Sequence, residues 1–385
     1  MSARQADLEL LASAPPGFLD ATHFDTVRFP PPSWAAEHFA RAALDGSQAY
    51  SGYRGHPHVL TSVAAAVGEF LGHPVDPNQN LMLTPGTQAG LFAALAARVE
   101  AKARVAVVDP DYLFTARILR FLDCDVGHVP LRATAAGFSP DLAVLEREFR
   151  DEGARDFVFS HPNNPTGSVY PPEVVGAMRS LAEQYDVRVV ADELYSRLLF
   201  GEAPFTHFAT DPAAFQRTVT LLGPSKTESL SGYRLGVVVG PGATMKAAED
   251  VLSVTALRAP AYAQNVLLPW LRSDAAWLHD RLKEFDVLRQ MTRQAFAKLP
   301  WARAVVQEAT AYAWVDVTAL GLSDTVISKA LMSEARVLVS PGYQFGPSGK
   351  GHFRLCYARD EAEWEAVLGR ITATLARLAA AAGVG

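Results

Sequence analysis

A single lysine lies between two apolar runs in Gly223-Pro224-Ser225-Lys226-Thr227-Glu228-Ser229-Leu230-Ser231-Gly232-Tyr233-Arg234-Leu235-Gly236. The runs cover residues 218–222 and 235–239, and both are expected to be buried strands. An amine on a loop between buried strands has to be solvated, paired or used covalently, and a carbonyl group is what such an amine attacks. Most lysines are solvated, so Lys226 alone does not choose between these roles. Arg234 would be able to bind a phosphate through two parallel hydrogen bonds.

Outward from this loop, short apolar runs alternate with helical patterns. The predicted buried strands are residues 81–83, 105–108, 157–159, 187–191, 218–222 and 235–239, and helical patterns at 89–98, 142–149 and 174–184 lie between several of them. This alternation predicts an α/β fold in which a mostly parallel sheet is sandwiched by helices. Ligands bind at the carboxyl ends of such strands, so the loops just after the runs are expected to carry the site.

Two of these loops have features that suit a phosphorylated or flat ligand. Gly86 and Thr87 open a helix after the first run, where free N–H groups favour a phosphate. An ordinary strand-to-helix turn would look the same. Tyr112 follows the second run and can offer an aromatic face to a flat ring, although such a residue is more often packing.

The next two loops are polar. Asn164 belongs to a rigid turn at residues 160–167 that contains two asparagines and two prolines. Asp192 ends a fully apolar run, where a carboxylate needs a cation, a metal or hydrogen-bond donors unless it is solvated. Tyr195 follows three positions later.

The pattern changes beyond about residue 260. A long helical stretch at 277–299 leads into alternating segments at 311–317, 337–340 and 352–357 and an alanine-rich helix at 360–381. These segments predict a smaller α+β domain that also takes in the N-terminal segment. The expected division is residues 45–260 for the large domain and residues 1–44 with 261–385 for the small one.

Composition limits the function classes. The chain has 385 residues and a formal net charge of -6, without the basic stripe of nucleic-acid-binding proteins, so no nucleic-acid partner is expected. Cys124 and Cys356 fit neither a disulfide framework nor a metal site, and they suit a reducing cytoplasm. The N-terminus carries acids where a secretion signal carries bases, and no apolar run approaches membrane-spanning length. A cytoplasmic protein without membrane contact is expected.

Five motifs in combination carry a family resemblance. They are Asn-Pro-Thr-Gly at 164–167, Asp-x-x-Tyr at 192–195, Ser-Lys at 225–226, Gly-x-Arg-x-Gly at 232–236 and His-Phe-Arg-Leu at 352–355. Together they resemble the fold type I, pyridoxal-phosphate-dependent class I/II aminotransferases, over roughly residue 50 to the C-terminal helix. The resemblance implies a transaminase that moves an amino group between an L-amino acid and a 2-oxo acid.

The resemblance also implies roles for single residues around pyridoxal 5'-phosphate. Lys226 would form the Schiff base and then move a proton. Asp192 would pair with the pyridine nitrogen. Asn164 and Tyr195 would donate to the phenolic oxygen of the ring. Gly86, Thr87, Ser225 and Arg234 would hold the phosphate, with Tyr112 stacked on the ring.

Further residues are implied for the substrate and for a second subunit. Tyr50 matches a family tyrosine that reaches the phosphate of the neighbouring subunit, which implies a homodimer with sites at the interface. Arg354 would clamp the substrate α-carboxylate. Arg258 falls in a region that crosses the dimer and could bind a second carboxylate, or form a plain salt bridge. His23, with Tyr53 and His56, could also face the substrate.

The chain departs from the family pattern at three places. Gly223 stands where a serine often contacts the phosphate, residues 21–25 replace a Gly-x-Pro turn, and Glu228 adds a negative charge near the lysine. These departures leave open a pyridoxal-phosphate-dependent lyase, cyclase or decarboxylase on the same scaffold. A third alternative is a non-enzymatic regulator, since domains of this kind are found fused to DNA-binding domains.

Overall fold

The structure is a computed structural model that describes residues 12, 16–24, 29–45, 49–134, 137–201, 204–305 and 308–384. The strands are β1 (Leu19–Asp20), β2 (Leu81–Pro85), β3 (Arg104–Asp109), β4 (Asp125–Thr134), β5 (Gly137–Pro140), β6 (Asp156–Ser160), β7 (Arg188–Asp192), β8 (Thr218–Leu222), β9 (Leu235–Val239), β10 (Arg303–Val305), β11 (Tyr312–Asp316), β12 (Val337–Leu338), β13 (Ser340–Pro341) and β14 (His352–Cys356). The α-helices are α1 (Ser33–Leu44), α2 (Pro57–Leu71), α3 (Thr87–Ala96), α4 (Thr115–Phe121), α5 (Leu142–Arg150), α6 (Pro172–Gln184), α7 (Pro212–Phe215), α8 (Gly242–Thr255), α9 (Ala261–Gln264), α10 (Ala275–Phe296), α11 (Asp324–Ala330) and α12 (Glu361–Ala381).

Eight of the described strands form one large sheet in the order β2-β9-β8-β7-β6-β3-β4-β5. The central pairs β8-β7, β7-β6, β6-β3 and β3-β4 are parallel, whereas β9 runs antiparallel to both of its neighbours. Apolar side chains of these strands pack into clusters with the surrounding helices, because a parallel sheet has to be covered on both faces. The predicted α/β fold is confirmed, and every run predicted as a strand is one.

Two strands of the large sheet were not predicted. β4 contains Gly127 and Pro130, and its side chains alternate between buried and partly exposed before the strand becomes fully exposed towards its end. β5 has only four residues and pairs with β4 at the edge of the sheet. Most side chains of β4 and β5 are partly or fully exposed, so these two strands lack the continuous apolar run that predicts the other strands of the sheet.

A smaller antiparallel sheet has the order β10-β11-β14-β13 and packs against α10 and α12. The segment predicted as a single alternating stretch at 337–340 is divided in the structure. β12 pairs with β1 in parallel, whereas β13 pairs with β14. The N-terminal segment therefore adds a strand beside the smaller sheet.

The division of the chain into residues 45–260 and residues 1–44 with 261–385 stays a prediction. Ala35 of α1 and the segment from Ala259 to Trp270 pack in one cluster with Leu81 of the large sheet. Phe285 of α10 and Trp364 of α12 pack instead in the cluster of the smaller sheet. Within the described part of the chain, no helix combines the length and the apolarity that crossing a bilayer requires.

Candidate active site

A cavity of about 490 Å³ opens where the carboxyl ends of the large-sheet strands meet the smaller sheet. The parallel strands β3, β6, β7 and β8 all end at this edge, as the fold class requires. Most of the residues predicted for the site line the cavity: His23, Thr87, Tyr112, Asn164, Asp192, Tyr195, Ser225, Lys226, Arg234 and Arg354.

Lys226 projects into the cavity from the loop between β8 and β9. Its Nζ lies 5.6 Å from the centre of the Phe24 ring, and no described carboxylate forms an ion pair with it. Burial, helped by the positive charges of Arg354 and Arg234, lowers the pKa of the amine. A lysine in this environment loses its proton more readily than an exposed one, which makes it a better nucleophile and base.

Asp192 ends β7 and lines the same cavity. Its Oδ1 accepts a hydrogen bond from the Leu194 N–H at 3.2 Å, and burial raises the pKa of the carboxyl to about 6. Asp111 lies behind it and accepts from the Ser160 N–H at 2.9 Å, and burial raises its pKa to about 8. Neither carboxyl has a cationic partner among the described residues, so Asp192 is suited to a ligand that brings a positive charge.

Arg234 and the first turn of α3 form an anion-binding cradle. The N–H groups of Thr87 and Gln88 have no partner among the described residues, and α3 has no side-chain cap. Gly86 has a φ of 83°, and a Cβ there would overlap the guanidinium of Arg234. The glycine thus lets the arginine lie directly against a helix N-terminus, where two sources of positive potential converge.

Arg354 reaches the cavity from β14 and is buried. Its Nη1 donates to Oδ1 of Asn164 at 2.6 Å, and its Nη2 donates to the backbone oxygen of Thr22. The guanidinium packs on two aromatic rings, and its carbon is 4.0 Å from the centre of Tyr312 and 4.8 Å from that of Phe345. No described carboxylate neutralises it, so the site holds a buried cation that is fixed in place and suited to a carboxylate.

Three tyrosines complete the lining. The hydroxyls of Tyr195 and Tyr312 are 3.0 Å apart and share a hydrogen bond. The hydroxyl of Tyr112 donates to Oε1 of Gln88 at 2.8 Å, which holds its ring at the wall of the cavity beside α3. Burial raises the pKa of all three phenols, so each of them is a neutral donor at neutral pH.

His23 lies at the mouth of the cavity, where its exposed ring is 3.3 Å from a carboxylate oxygen of Asp20. Burial opposes the ionisation of Asp20, but hydrogen bonds from His23 and Thr22 outweigh it and lower the pKa of Asp20 to about 2. Segment 21–25, predicted to depart from the family turn, therefore borders the cavity through Thr22 and His23. Asp25 lies outside the described residues.

Several predicted residues lie away from the cavity. The guanidinium of Arg258 packs on the rings of Tyr50 and Tyr53, 4.5 Å from each ring centre, and pairs with no described carboxylate. Tyr50 is 80% exposed. His56 packs beside His58 and does not line the cavity. The predictions for Tyr50 and Arg258 require a second subunit, and they stay predictions.

Glu228 does not face the cavity, although it follows Lys226 by two positions. It is fully buried and pairs with Arg197, which also binds Asp274 at 2.7 Å. Burial raises the pKa of Glu228 to about 7, while Arg197 opposes that rise. The negative charge that the sequence placed beside the lysine is therefore directed into a buried ion cluster.

Sequence reasoning missed several residues of the lining. They include Thr22, Gln88, Ser231, Tyr312, Ser340 and Gln344. Gln88 directly follows Thr87 and could have been included with it. Tyr312 gave no local signal, because it lies in an apolar strand of the smaller sheet and reaches the site only through packing.

The cavity fits a phosphorylated pyridine aldehyde such as pyridoxal phosphate. Among the described residues, the anion cradle has no anionic partner, the half-buried carboxyl of Asp192 has no cationic partner, and the amine of Lys226 has no carboxylate partner. A ligand with a phosphate, a basic ring nitrogen and a carbonyl would satisfy the cradle, Asp192 and Lys226 respectively.

Comparisons with known proteins agree with this chemistry. The sequence model of the family described as aminotransferase class I and II matches residues 21–371. An aspartate aminotransferase of Pyrococcus horikoshii is 26% identical over 339 residues, which cover 87% of this chain and 85% of that protein. A valine--pyruvate aminotransferase of Mycobacterium tuberculosis is 28% identical over 335 residues, which cover 86% and 85%.

A solved structure is also similar throughout its length. The crystal structure of an aspartate aminotransferase from Rhodobacter sphaeroides has 34% sequence identity and a TM-score of 0.90, over 98% of this chain and 99% of that one. The resemblance predicted from the five motifs is confirmed. The chain therefore belongs to the class I and II aminotransferases, a family of pyridoxal-phosphate-dependent enzymes, and it is an aminotransferase.

Proposed function

We propose that this chain holds pyridoxal 5'-phosphate through the amine of Lys226 and transfers an amino group between an L-amino acid and a 2-oxo acid. The observation that carries the proposal is the presence, in one cavity, of a half-buried amine of lowered pKa and a buried arginine that has no carboxylate partner among the described residues. When bound, the cofactor supplies an electron sink that makes a proton at the substrate Cα removable.

Cofactor binding is divided among three groups of residues. The first-turn N–H groups of α3 with Arg234, Thr87 and Ser225 would hold the phosphate. Asp192 would keep the ring nitrogen protonated. Tyr112 would cover a face of the ring, since its own hydroxyl is already held by Gln88.

Asn164 and Tyr195 would act as donors to the phenolic oxygen. Because Oδ1 of Asn164 accepts from Arg354, its Nδ2 remains as a donor. The Tyr195 phenol has a raised pKa and therefore keeps its proton at neutral pH. Two neutral donors favour the ionised form of that oxygen.

Substrate handling is assigned to two basic side chains. Arg354 would bind the α-carboxylate with two parallel hydrogen bonds, and the rings of Tyr312 and Phe345 would keep its plane fixed. Lys226 in its uncharged form would take the proton from the substrate Cα, as the lowered pKa of its amine favours. His23 is a candidate contact for the substrate side chain at the mouth of the cavity.

A homodimer with sites at the interface is part of the proposal. It is supported by the exposed cluster in which Arg258 packs on Tyr50 and Tyr53, because large exposed aromatics are typical of interface anchors. A second copy would bring Tyr50 to the phosphate of its partner. A reducing compartment such as the cytoplasm agrees with the free, buried cysteines Cys124 and Cys356.

The lyase, cyclase and decarboxylase alternatives lose one of their two supports. Glu228, which suggested altered proton handling, points away from the cavity and pairs with Arg197. The other support, segment 21–25, still stands. It borders the cavity through Thr22, whose backbone oxygen accepts from Arg354, and through His23, which pairs with Asp20.

The experiment is a half-reaction. Protein loaded with pyridoxal phosphate receives single L-amino acids without any oxo acid, and visible absorbance and products are followed. We expect one class of donor to bleach the visible band and to yield the matching 2-oxo acid in stoichiometric amount. Release of ammonia or carbon dioxide with repeated turnover would contradict the proposal, and Lys226→Ala serves as the inactive control.

A further inference from the structure

Tyr312 lies on β11 of the smaller sheet, yet it touches two groups of the proposed machinery. Its side chain is 2% exposed, and its hydroxyl is 3.0 Å from that of Tyr195. The face of its ring lies 4.0 Å from the guanidinium carbon of Arg354. One side chain thus contacts both a proposed cofactor donor and the proposed carboxylate clamp.

The hydrogen bond between the two phenols has a direction that depends on what else is bound. Each hydroxyl carries one proton and can also accept. If Tyr195 donates to an oxygen in the cavity, its proton is no longer available to Tyr312. The shared bond then has to run from Tyr312 to Tyr195. A phenol that accepts a hydrogen bond becomes a stronger donor, because hydrogen bonds in a chain polarise one another.

The ring contact acts separately from the hydroxyl. Arg354 packs on the rings of Tyr312 and Phe345, and its two terminal nitrogens donate to Asn164 and Thr22. The two ring contacts help to fix the orientation of the guanidinium. Removal of the Tyr312 ring would leave the arginine with the Phe345 contact and without its nearer one.

We propose that Tyr312 is a positioning residue that orients the Tyr195 hydroxyl through its own hydroxyl and supports Arg354 through its ring. This inference rests on the proposed function, because the two groups it positions are a cofactor donor and a substrate clamp. Two substitutions separate the effects. Tyr312→Phe removes only the hydroxyl, whereas Tyr312→Leu also removes the aromatic face.

The first readout is the pH midpoint of the visible absorbance of the bound cofactor. Tyr312→Phe weakens the donor bond from Tyr195, so the ionised oxygen of the cofactor is less stabilised and the midpoint rises by about 0.5 unit. The titratable and charged groups around the pair are left unchanged: Asp192, Lys226, Arg354, Cys356 and Arg359.

A second substitution tests whether Tyr312 acts through Tyr195. In a Tyr195→Phe background, Tyr312→Phe should move the midpoint no further, because the relay has already been broken. Tyr357→Phe is the matched control. It removes another buried hydroxyl, on the residue just after β14, which donates to the Thr310 backbone oxygen at 2.6 Å and lies outside the cavity lining.

The third readout is the affinity for propionate, an unreactive carboxylate, followed through the cofactor absorbance. Tyr312→Phe should leave this Kd within about twofold, and Tyr312→Leu should weaken it about tenfold. If Tyr312→Leu yields no folded protein, the test rests on the pH midpoint of the cofactor absorbance in Tyr312→Phe.

The outcomes are distinct. A wild-type protein that takes up no cofactor overturns the proposed function and this inference together. This inference alone is overturned if the wild-type protein binds the cofactor and titrates but Tyr312→Phe leaves the pH midpoint unchanged. It is also overturned if Tyr312→Phe shifts the midpoint equally in the wild-type and Tyr195→Phe backgrounds. An equal shift in Tyr357→Phe also overturns it.

Discussion

Arg354 and Asn164 are joined by a 2.6 Å hydrogen bond from Nη1 of the arginine to Oδ1 of the asparagine. Arg354 lies on β14 of the smaller sheet, and Asn164 lies in the loop after β6 of the large sheet. The bond therefore connects the two sheets at the cavity. A carboxylate that binds Arg354 has to share or replace this contact, so substrate binding and the position of the Asn164 amide are linked.

Arg354→Lys should lower kcat/KM for amino donors about 100-fold, because a point charge cannot reproduce two parallel hydrogen bonds to a carboxylate. Steady-state kinetics with the best donor measures this. Arg377→Gln is the control, since Arg377 pairs with Glu334 on the surface and should change kcat/KM less than about twofold. Equal effects of the two substitutions would remove Arg354 from the carboxylate site.

Asp192→Asn should stabilise the cofactor-free protein at pH 8 while it weakens retention of the cofactor. Burial raises the folded-state pKa of Asp192 from 3.8 to about 6, so the folded protein binds more protons than the unfolded chain between those values. The stability contributed by the neutral form is present below pH 4 and is lost as pH rises through about 6. The asparagine stays neutral and avoids this loss. Denaturant unfolding gives the free energy of unfolding of both cofactor-free proteins at pH 5 and pH 8. A variant less stable than wild type at pH 8 would contradict the expectation.

These particular residues show what sequence reasoning could reach. Lys226, Asp192 and Asn164 were predicted because each follows an apolar run, and the loops after parallel strands meet at one edge of the sheet. Tyr312 was missed because it lies in an apolar strand of the smaller sheet without a motif of its own, and sequence spacing does not say how that strand packs against the large sheet. Glu228 was placed beside the lysine by its position in the chain, whereas a turn of the loop directs it towards Arg197.

Arg197→Met should destabilise the protein by about 3–5 kcal/mol, because it leaves the buried carboxylates of Glu228 and Asp274 without their shared cation. Denaturant unfolding of the variant and of wild type measures this loss of stability.

Glu228→Gln should leave the cofactor absorbance and the product unchanged, since Glu228 does not line the cavity. Visible absorbance and product analysis of the variant check this expectation. A changed product with Glu228→Gln would revive the lyase and cyclase alternatives.

Tyr50 and Lys226 should act in the same site from different subunits. Tyr50→Ala and Lys226→Ala proteins, each of low activity, are mixed and allowed to exchange subunits. Half of the resulting dimers are expected to be hybrids with one intact site, which gives about a quarter of wild-type activity. Size-exclusion chromatography confirms the dimer. If the mixture shows only the mean activity of its parents, Tyr50 does not serve its partner.

If a second subunit brings Arg258 to the cavity, Arg258→Ala should lower kcat/KM for amino donors that have a second carboxylate and so change the ranking of donors. The expected loss is about 10- to 100-fold in kcat/KM for aspartate and glutamate, with little change for apolar donors. Arg272→Ala is a surface control. An unchanged ranking would leave Arg258 as a support for Tyr50 and Tyr53 alone.

Peptide mass spectrometry of the loaded protein after borohydride reduction tests whether the cofactor is attached to Lys226. Borohydride reduces the C=N bond of a Schiff base to a stable secondary amine. We therefore expect one added phosphopyridoxyl group on the peptide that contains Lys226, and no added group in the Lys226→Ala protein. A group found on another lysine, or no covalent group in wild-type protein that retains the visible band, would contradict it.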